Sequence, residues 1–305
     1  MQEPGCTVIV PTRNRPEFLR GGLTELLPTL RAHDELLVVD SCSDDDATRR
    51  VCDELGVRMV RADRPGAAIA RNVGVAATTR PILVFTDDDT RPQSGWIDVL
   101  ERSFDTPEVG MVLGQVIADV DDLSQAKLPF NRVGHEARRW VGPQDPNDMG
   151  VGACMSFRRT AWESVGGMDE RLGTGARLRS AEDDDIFYRV LRAGWVGRYE
   201  PEALVLHRDW RTRGQVAKKA WASGVGTGAF VAKVARTEGV KSTGPLLRRR
   251  LLTDGVNALG RDVYRRWKSP LVYDTLKLAG TITGMCLGAV LPLDGEKFRP
   301  SSTAR

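Results

Sequence analysis

The 305-residue sequence predicts an α/β fold: a mostly parallel central sheet with helices on both faces, followed by a C-terminal helical extension. Three observations carry that prediction. Short apolar runs alternate with helix-period segments over the first 115 residues, the pattern of strand–helix–strand units around a parallel sheet. Those runs are nearly continuous, as strands covered on both faces tend to be. Beyond about residue 212 the pattern is helical only.

Taken in order, Thr7-Val8-Ile9-Val10 is the first strand, stopped by Pro11, and Leu19, Leu23, Leu26, Leu27 and Leu30 give the next segment a helical period. Leu36-Leu37-Val38-Val39 is a second strand ending at Asp40, and Asp44 to Leu55 reads as a helix. Val57 to Val60 is a third strand, Ala67 to Ala77 a helix opened by Gly66, and Ile82-Leu83-Val84-Phe85 a fourth strand running into Asp87-Asp88-Asp89. Ile97, Leu100 and Phe104 share a helix face. Gly110 to Val120 and Val151 to Phe157 read as strands, separated by a polar loop or lid over 121–148. Ser180 to Leu191 is a helix with Ile186, Phe187, Val190 and Leu191 inward and Gly194 as its stop, and Ala203 to Leu206 is a last strand before His207.

Composition is that of a globular chain, with 41% hydrophobic and 28% charged residues, which excludes disordered and fibrous classes. The net charge of +3 is too small to indicate a nucleic-acid binder, and none is expected as a partner. The charge is uneven: residues 236–305 hold 13 basic and 6 acidic residues, a net of +7, and residues 1–235 carry −4. A basic tail suits either an anionic surface or a solvated helical face. Within it lie Arg248-Arg249-Arg250, Arg265-Arg266 and an uncharged stretch, Leu278–Leu293. Those 16 residues are shorter than the roughly 20 that span a bilayer, so an interfacial or protein-packed helix is expected. Gly280, Gly284 and Gly288, four apart, give that helix a smooth face for close packing. Five scattered cysteines without a CxxC argue against a disulfide framework or a zinc site. With no basic and apolar leader pattern, a cytoplasmic setting is the expectation, peripheral to the inner face of a membrane if the tail binds lipid.

Ligands of parallel sheets bind at the carboxyl ends of the strands, where Asp40 and Asp87-Asp88-Asp89 stand. Three adjacent carboxylates repel, and a hard divalent cation, Mg2+ or Mn2+, removes the conflict; the other reading is a solvated acidic turn. Glu182-Asp183-Asp184-Asp185 opens a helix, where a capping box with Ser180 accounts for acids, yet the same helix dipole favours negative charge where a general base is wanted. Gly173-Thr174-Gly175 suits a mobile loop beside it. Gly66, Arg71 and Asn72 mark either a phosphate-binding helix start or an ordinary junction. Asn14 is a candidate cap for the first helix, and His207 either a structural histidine or a ligand.

Taken together, these segments resemble an inverting family 2 glycosyltransferase of the GT-A fold, over roughly residues 6–212. The signposts come in that family's order: Val8-Ile9-Val10-Pro11-Thr12-Arg13-Asn14-Arg15, Val38-Val39-Asp40-Ser41-Cys42-Ser43-Asp44, Gly66 to Gly74 as G-x-x-x-A-R-N-x-G, Asp87-Asp88-Asp89 at the DxD motif, Gly166-Gly167-Met168-Asp169-Glu170, and Glu182-Asp183. The resemblance implies a metal-dependent transfer of sugar from a UDP-, GDP- or dTDP-linked donor to an acceptor hydroxyl, with a lipid-linked acceptor among the candidates. It implies that Pro11, Thr12, Asn14, Asp40, Arg71, Asp87 and Asp88 line the nucleotide, Asp87 meeting its ribose. Asp89 would hold the metal, with His207 as a further ligand. Asp183, beside Glu182, would be the base, and Gly152, Ala153 and Gly167 would lie near donor sugar and acceptor. The expected organisation is a catalytic domain over 1–235 and a basic amphipathic tail over 236–305 that holds the enzyme near an anionic membrane surface. A nucleotidyltransferase usually wants a Gly- and Lys/Arg-rich first loop, unlike Pro11-Thr12-Arg13-Asn14. A non-catalytic nucleotide-sugar or glycan-binding module would keep the binding loops and lose the base.

Overall fold

The computed structural model describes residues 5–120, 134–208, 210–239, 244 and 270–299. The chain forms two compact units, Met1–Met168 with Asp183–Asp209, and Asp169–Glu182 with Trp210–Arg305.

The first unit is built on a sheet. Its elements, in chain order, are β1 (Cys6–Thr12), α1 (Pro16–Leu26), β2 (Glu35–Asp40), α2 (Ala47–Leu55), β3 (Arg58–Arg61), α3 (Ala67–Ala76), β4 (Ile82–Phe85), β5 (Thr90–Pro92), α4 (Trp96–Arg102), β6 (Val109–Asp119), β7 (Arg138–Val141), β8 (Met155–Arg158), α5 (Arg159–Ser164), α6 (Glu182–Arg192) and β9 (Val196–Arg208). Strand order is β3-β2-β1-β4-β8-β6-β9-β5, with β7 also paired to β9. The β3-β2-β1-β4 half is parallel throughout, as is β6 with β9. Strand β8 runs antiparallel between β4 and β6, and β5 and β7 run antiparallel to β9.

The period of two along the strands explains both layers. Val8, Val10, Val38 and Val84 face one side, against Leu19, Leu23 and Leu26 of α1, Val51 and Cys52 of α2, and Trp96, Ile97 and Leu100 of α4. Ile9, Leu37, Val39, Leu83 and Phe85 face the other, against Ala68, Ala70 and Val75 of α3, Trp162 of α5, and Ile186, Phe187, Val190 and Leu191 of α6. Gly74 lets α3 sit close to the sheet, since a Cβ there would lie 2.6 Å from Ile9.

The second unit contains α7 (Arg213–Glu238), α8 (Pro270–Val290) and a hairpin of β10 (Leu293–Asp294) and β11 (Lys297–Phe298). A capping box between Thr212 and Gln215 starts α7. Helix α8 packs on α7 through glycine. Cβ atoms at Gly280, Gly284 and Gly288 would overlap the backbone of Trp221, Val225 and Ala229, and Gly224 and Gly228 meet Lys277 and Thr281 in the same way. The glycine face of the uncharged stretch is therefore packed on protein, and no helix among the described residues is long and apolar enough to cross a membrane. Gly284→Val forces these backbones apart. We expect a loss of about 2–3 kcal/mol, seen as a melting temperature several degrees lower; an unchanged melting temperature would show that the helices are not in close contact.

Some expectations are corrected. Residues 121–133 of the expected lid lie outside the described residues, but 138–141 form β7, so the segment is not all loop. The helix expected from Ser180 starts at Glu182. The segment after residue 212 is not wholly helical, because its end turns into the β10–β11 hairpin. Arg248, Arg249, Arg250, Arg265 and Arg266 lie outside the described residues.

Candidate active site

Adjacent parallel strands bring Thr12 and Asp40 level with one another, and Asp40 level with Arg61. Asp40 is only 1% exposed. Its Oδ1 accepts the Ser43 N–H at 3.0 Å and its Oδ2 an Arg61 N–H at 2.6 Å, while Arg61 also donates to the Ser43 carbonyl at 2.6 Å. Asp40 thus holds the loop after β2 and fixes Arg61, whose side chain is 44% exposed at the strand ends. Asn14 does not cap α1, whose cap position is Arg15. Its amide instead donates to Asp44 and accepts the Asp44 N–H, both at 2.8 Å, so it clamps the same loop in a left-handed conformation (φ 53°). Pro11 pairs in register with Val39 just before these residues.

The carboxylates after β4 point in different directions. Asp88 is buried; its Oδ2 accepts the Thr12 hydroxyl at 2.6 Å and its Oδ1 an Arg15 N–H at 2.8 Å. Burial pushes its carboxyl up to about 7, against the opposing effects of Arg15 and Thr12. Asp89 takes the second arm of Arg15 at 2.7 Å. The Arg15 guanidinium bears a desolvation cost, yet Asp88 and Asp89 hold it above its usual value. Asp87 accepts from Arg71 at 3.1 Å, a side chain only 5% exposed.

His207 reaches this cluster through register. β5 follows the aspartates directly and pairs with β9 so that Thr90 faces His207, and the Arg208 N–H donates to the Asp89 carbonyl at 3.0 Å. His207 Nε2 lies 3.4 Å from Asp89 and 4.0 Å from Asp87. Nδ1 is 3.1 Å from the Arg208 carbonyl, which only accepts, so Nδ1 carries the hydrogen in that bond. In the neutral ring Nε2 is then an acceptor facing two carboxylates, an arrangement that a cation reconciles. Asp87, Asp89 and His207 each offer one ligand atom, all within 4.8 Å of one another. Two hard oxygens and an imidazole fit a small divalent cation such as Mn2+.

The four acids at the start of α6 also separate. Asp185 is buried and paired with Arg189 at 2.8 Å, and Arg189 donates in turn to the carbonyls of Val165 and Gly167. Asp184 is buried as well. Asp183 is partly exposed; its Oδ2 accepts the Gly152 N–H at 3.1 Å and its Oδ1 the Asp184 N–H at 2.9 Å. A Cβ on Gly152 would stand 3.3 Å from Arg71 and 3.6 Å from Asp183, so Gly152 marks where these two side chains converge. The next carbonyl, of Ala153, accepts the Thr86 hydroxyl. Glu182 lies in the other unit, against Gly173. Gly166 and Gly167 turn the chain with φ near +70°, and Asn72 clamps that turn by bonds in both directions to the Met168 backbone.

Arg15 was not among the expected site residues. The available signal for Arg15 was a cation three residues past the first strand, at the sheet edge where ligands bind. Asn72, marked with Arg71 near the start of α3, bonds to the Met168 backbone, a partner 96 residues away that no local pattern indicates.

Residues 7–166, about half of the chain, match the model of glycosyl transferase family 2. A pre-mycofactocin glycosyltransferase of Mycobacterium tuberculosis is 31% identical over 239 residues, which covers 72% of this chain and 46% of that protein. An N-acetylglucosaminyl-diphospho-decaprenol L-rhamnosyltransferase of the same organism is 39% identical over 64 residues, 21% of this chain and 19% of that one. The chain thus spans about half the length or less of these curated relatives. Among solved structures, a mannosyltransferase from Pyrobaculum calidifontis in complex with GDP-Man and Mn2+ aligns with TM-score 0.63 at 20% identity, covering 92% of this chain and 87% of that one, which establishes the shared fold.

Proposed function

Because the chain belongs to glycosyltransferase family 2, we propose that it moves a sugar from a nucleotide-diphospho-sugar to an acceptor hydroxyl with inversion at the anomeric carbon. The observation that supports this most is the convergence of Asp87, Asp89 and His207 at the carboxyl ends of the parallel strands, the edge where such sheets take nucleotides.

In this reading Asp89 and His207 would hold Mg2+ or Mn2+, and Asp87, which shares their cluster, would meet the ribose. A cation bound there offsets charge on the leaving diphosphate. Arg71 lies beside Asp87 on the same side and meets the diphosphate as a fixed cation. Thr12, through Asp88, and Asp40, through Arg61, shape the floor of the nucleotide site, with Pro11 and Asn14 bounding its loop. Asp183 takes the proton of the acceptor hydroxyl as its oxygen bonds to the anomeric carbon. The bond from that carbon to the diphosphate oxygen breaks on the opposite face, and the electron pair leaves with the diphosphate. A single displacement inverts the configuration. Gly152, Ala153 and Gly167 flank this space; a Cβ at Gly152 would crowd Arg71, and one at Gly167 would overlap Asn72.

The mannosyltransferase solved with GDP-Man makes GDP-sugars the first donors to try, ahead of UDP- and dTDP-sugars. The rhamnosyltransferase relative favours a lipid-linked acceptor. With it goes a cytoplasmic enzyme whose catalytic part is 1–235 and whose basic tail, 236–305, rests on an anionic membrane. The presence of both acidic groups supports an enzyme over a binding module or a nucleotidyltransferase. The test is to incubate the protein with a panel of nucleotide-sugars and Mn2+ and follow the released sugar by proton NMR at early times. We expect one donor to give product of inverted anomeric configuration. A first-formed product of retained configuration would contradict the single displacement.

A further inference from the structure

Resting on that reading, we propose that Asp169 and Lys233 are positioning residues: through them α7 and the C-terminal hairpin brace the loop that leads into the first turn of α6. Asp169 comes from the Gly-Gly-Met-Asp-Glu turn, and its side chain is fully buried within the second unit. Its Oδ2 accepts both Lys233 Nζ at 2.6 Å and the Phe298 N–H at 2.8 Å, and its Oδ1 the Arg171 N–H at 3.0 Å. Lys233, 3% exposed, also lies 5.2 Å from the centre of the Phe298 ring. Leu172, Leu178, Ala229, Leu291 and Phe298 pack around this group. One carboxylate therefore joins the loop, α7 and β11.

The rest of the loop is held along the same helix. The Arg179 guanidinium sits 4.9 Å over the Trp221 ring, and Gly226 lies so close to the Ser180 backbone that a Cβ would overlap it. Trp221, Gly226 and Lys233 thus meet the loop at three successive points along α7. The loop also closes on itself, with Gly173 N–H donating to the Ser180 carbonyl and Leu178 N–H to that of Arg171. The segment expected to be mobile is thus tied at several points. Its last residues are strained: Arg179 and Ala181 have φ of 66° and 70°, and Glu182 and Asp183 follow at once. Non-glycine residues keep such conformations only where their surroundings dictate them. An apolar pair in place of Asp169 and Lys233 would give comparable or greater stability without fixing one geometry. The ion pair is suited to positioning rather than to stability alone.

The test compares the full-length protein with Asp169→Asn/Lys233→Met, which removes both charges, with Lys233→Met alone, and with Gly226→Ala, which displaces Ser180 and leaves the ion pair in place. Lys233→Met strands a buried carboxylate and is expected to lower the melting temperature by about 10 °C. The double variant is expected to melt within about 5 °C of the parent, and to bind nucleotide diphosphate with Mn2+ within about threefold of it. Both the double variant and Gly226→Ala are expected to exchange amide hydrogens in 170–182 about tenfold faster, and to lose at least tenfold in kcat for donor turnover with KM little changed. Parental exchange across 170–182 in the double variant would overturn the brace. Faster exchange with parental kcat would overturn the positioning role and leave a merely structural pair. Should the parent turn over none of the donors, the glycosyltransferase reading fails, and the exchange comparison alone decides the brace.

Discussion

Asp183→Asn is expected to reduce turnover by about a thousandfold while nucleotide diphosphate affinity stays within about threefold of the parent. General bases contribute typically 10²–10⁴ in rate, and the amide that replaces this one cannot take a proton. The two aspartates that follow it do not substitute for it: Asp185 is committed to Arg189 and Asp184 is buried. The substitution is nearly isosteric, and one oxygen remains to accept the Gly152 N–H. Single-turnover and equilibrium measurements on one preparation separate the two effects. Parental turnover would move the base to Glu182, whose neighbour Gly173 leaves no room for a side chain.

Asp89→Ala is expected to remove the metal-dependent part of nucleotide binding, a loss on the order of a hundredfold or more, with the fold intact. Asp89 stands between Arg15 at 2.7 Å and His207 at 3.4 Å, so its loss takes one of three ligand atoms and releases one arm of Arg15. Arg15 keeps its bond to Asp88 and its place 4.5 Å over the Phe18 ring, which preserves the strand end. Manganese titration followed by nucleotide binding reads the effect. An unchanged Mn2+-dependent affinity would remove Asp89 from the cluster.

The parallel half of the fold was legible because strands buried on both faces must be apolar along their length, as Val8 to Val10, Leu36 to Val39 and Ile82 to Phe85 are. β5 and β7 were not. They are three and four residues long, and Arg138 and Arg139 on β7 are exposed, so no apolar run marks them. The terminal hairpin is shorter still, with two residues in each strand. At the site, the residue types at strand ends were legible, but their directions were not. That Asp88 turns inward to Thr12 and Arg15 while Asp87 and Asp89 turn toward His207 depends on the pairing of Thr90 with His207, a register no local pattern encodes. That Asp40 is sealed by Arg61 depends in the same way on β2 pairing with β3. The separation of Asp183 from Asp185 was within reach, since Arg189 stands four residues after Asp185, the spacing of a helical ion pair. The direction of Asp169 was hidden, because its partners lie 64 and 129 residues away.

Asp87, Asp89 and His207 are proposed to form a cation-dependent nucleotide site. Calorimetric titration of UDP, GDP, dTDP and CDP, each with and without Mn2+, with Asp89→Ala as control, tests it most directly. One nucleotide diphosphate is expected to bind only when Mn2+ is present, and Asp89→Ala to abolish this binding. Binding of equal strength without the metal, or no binding in any combination, would contradict it.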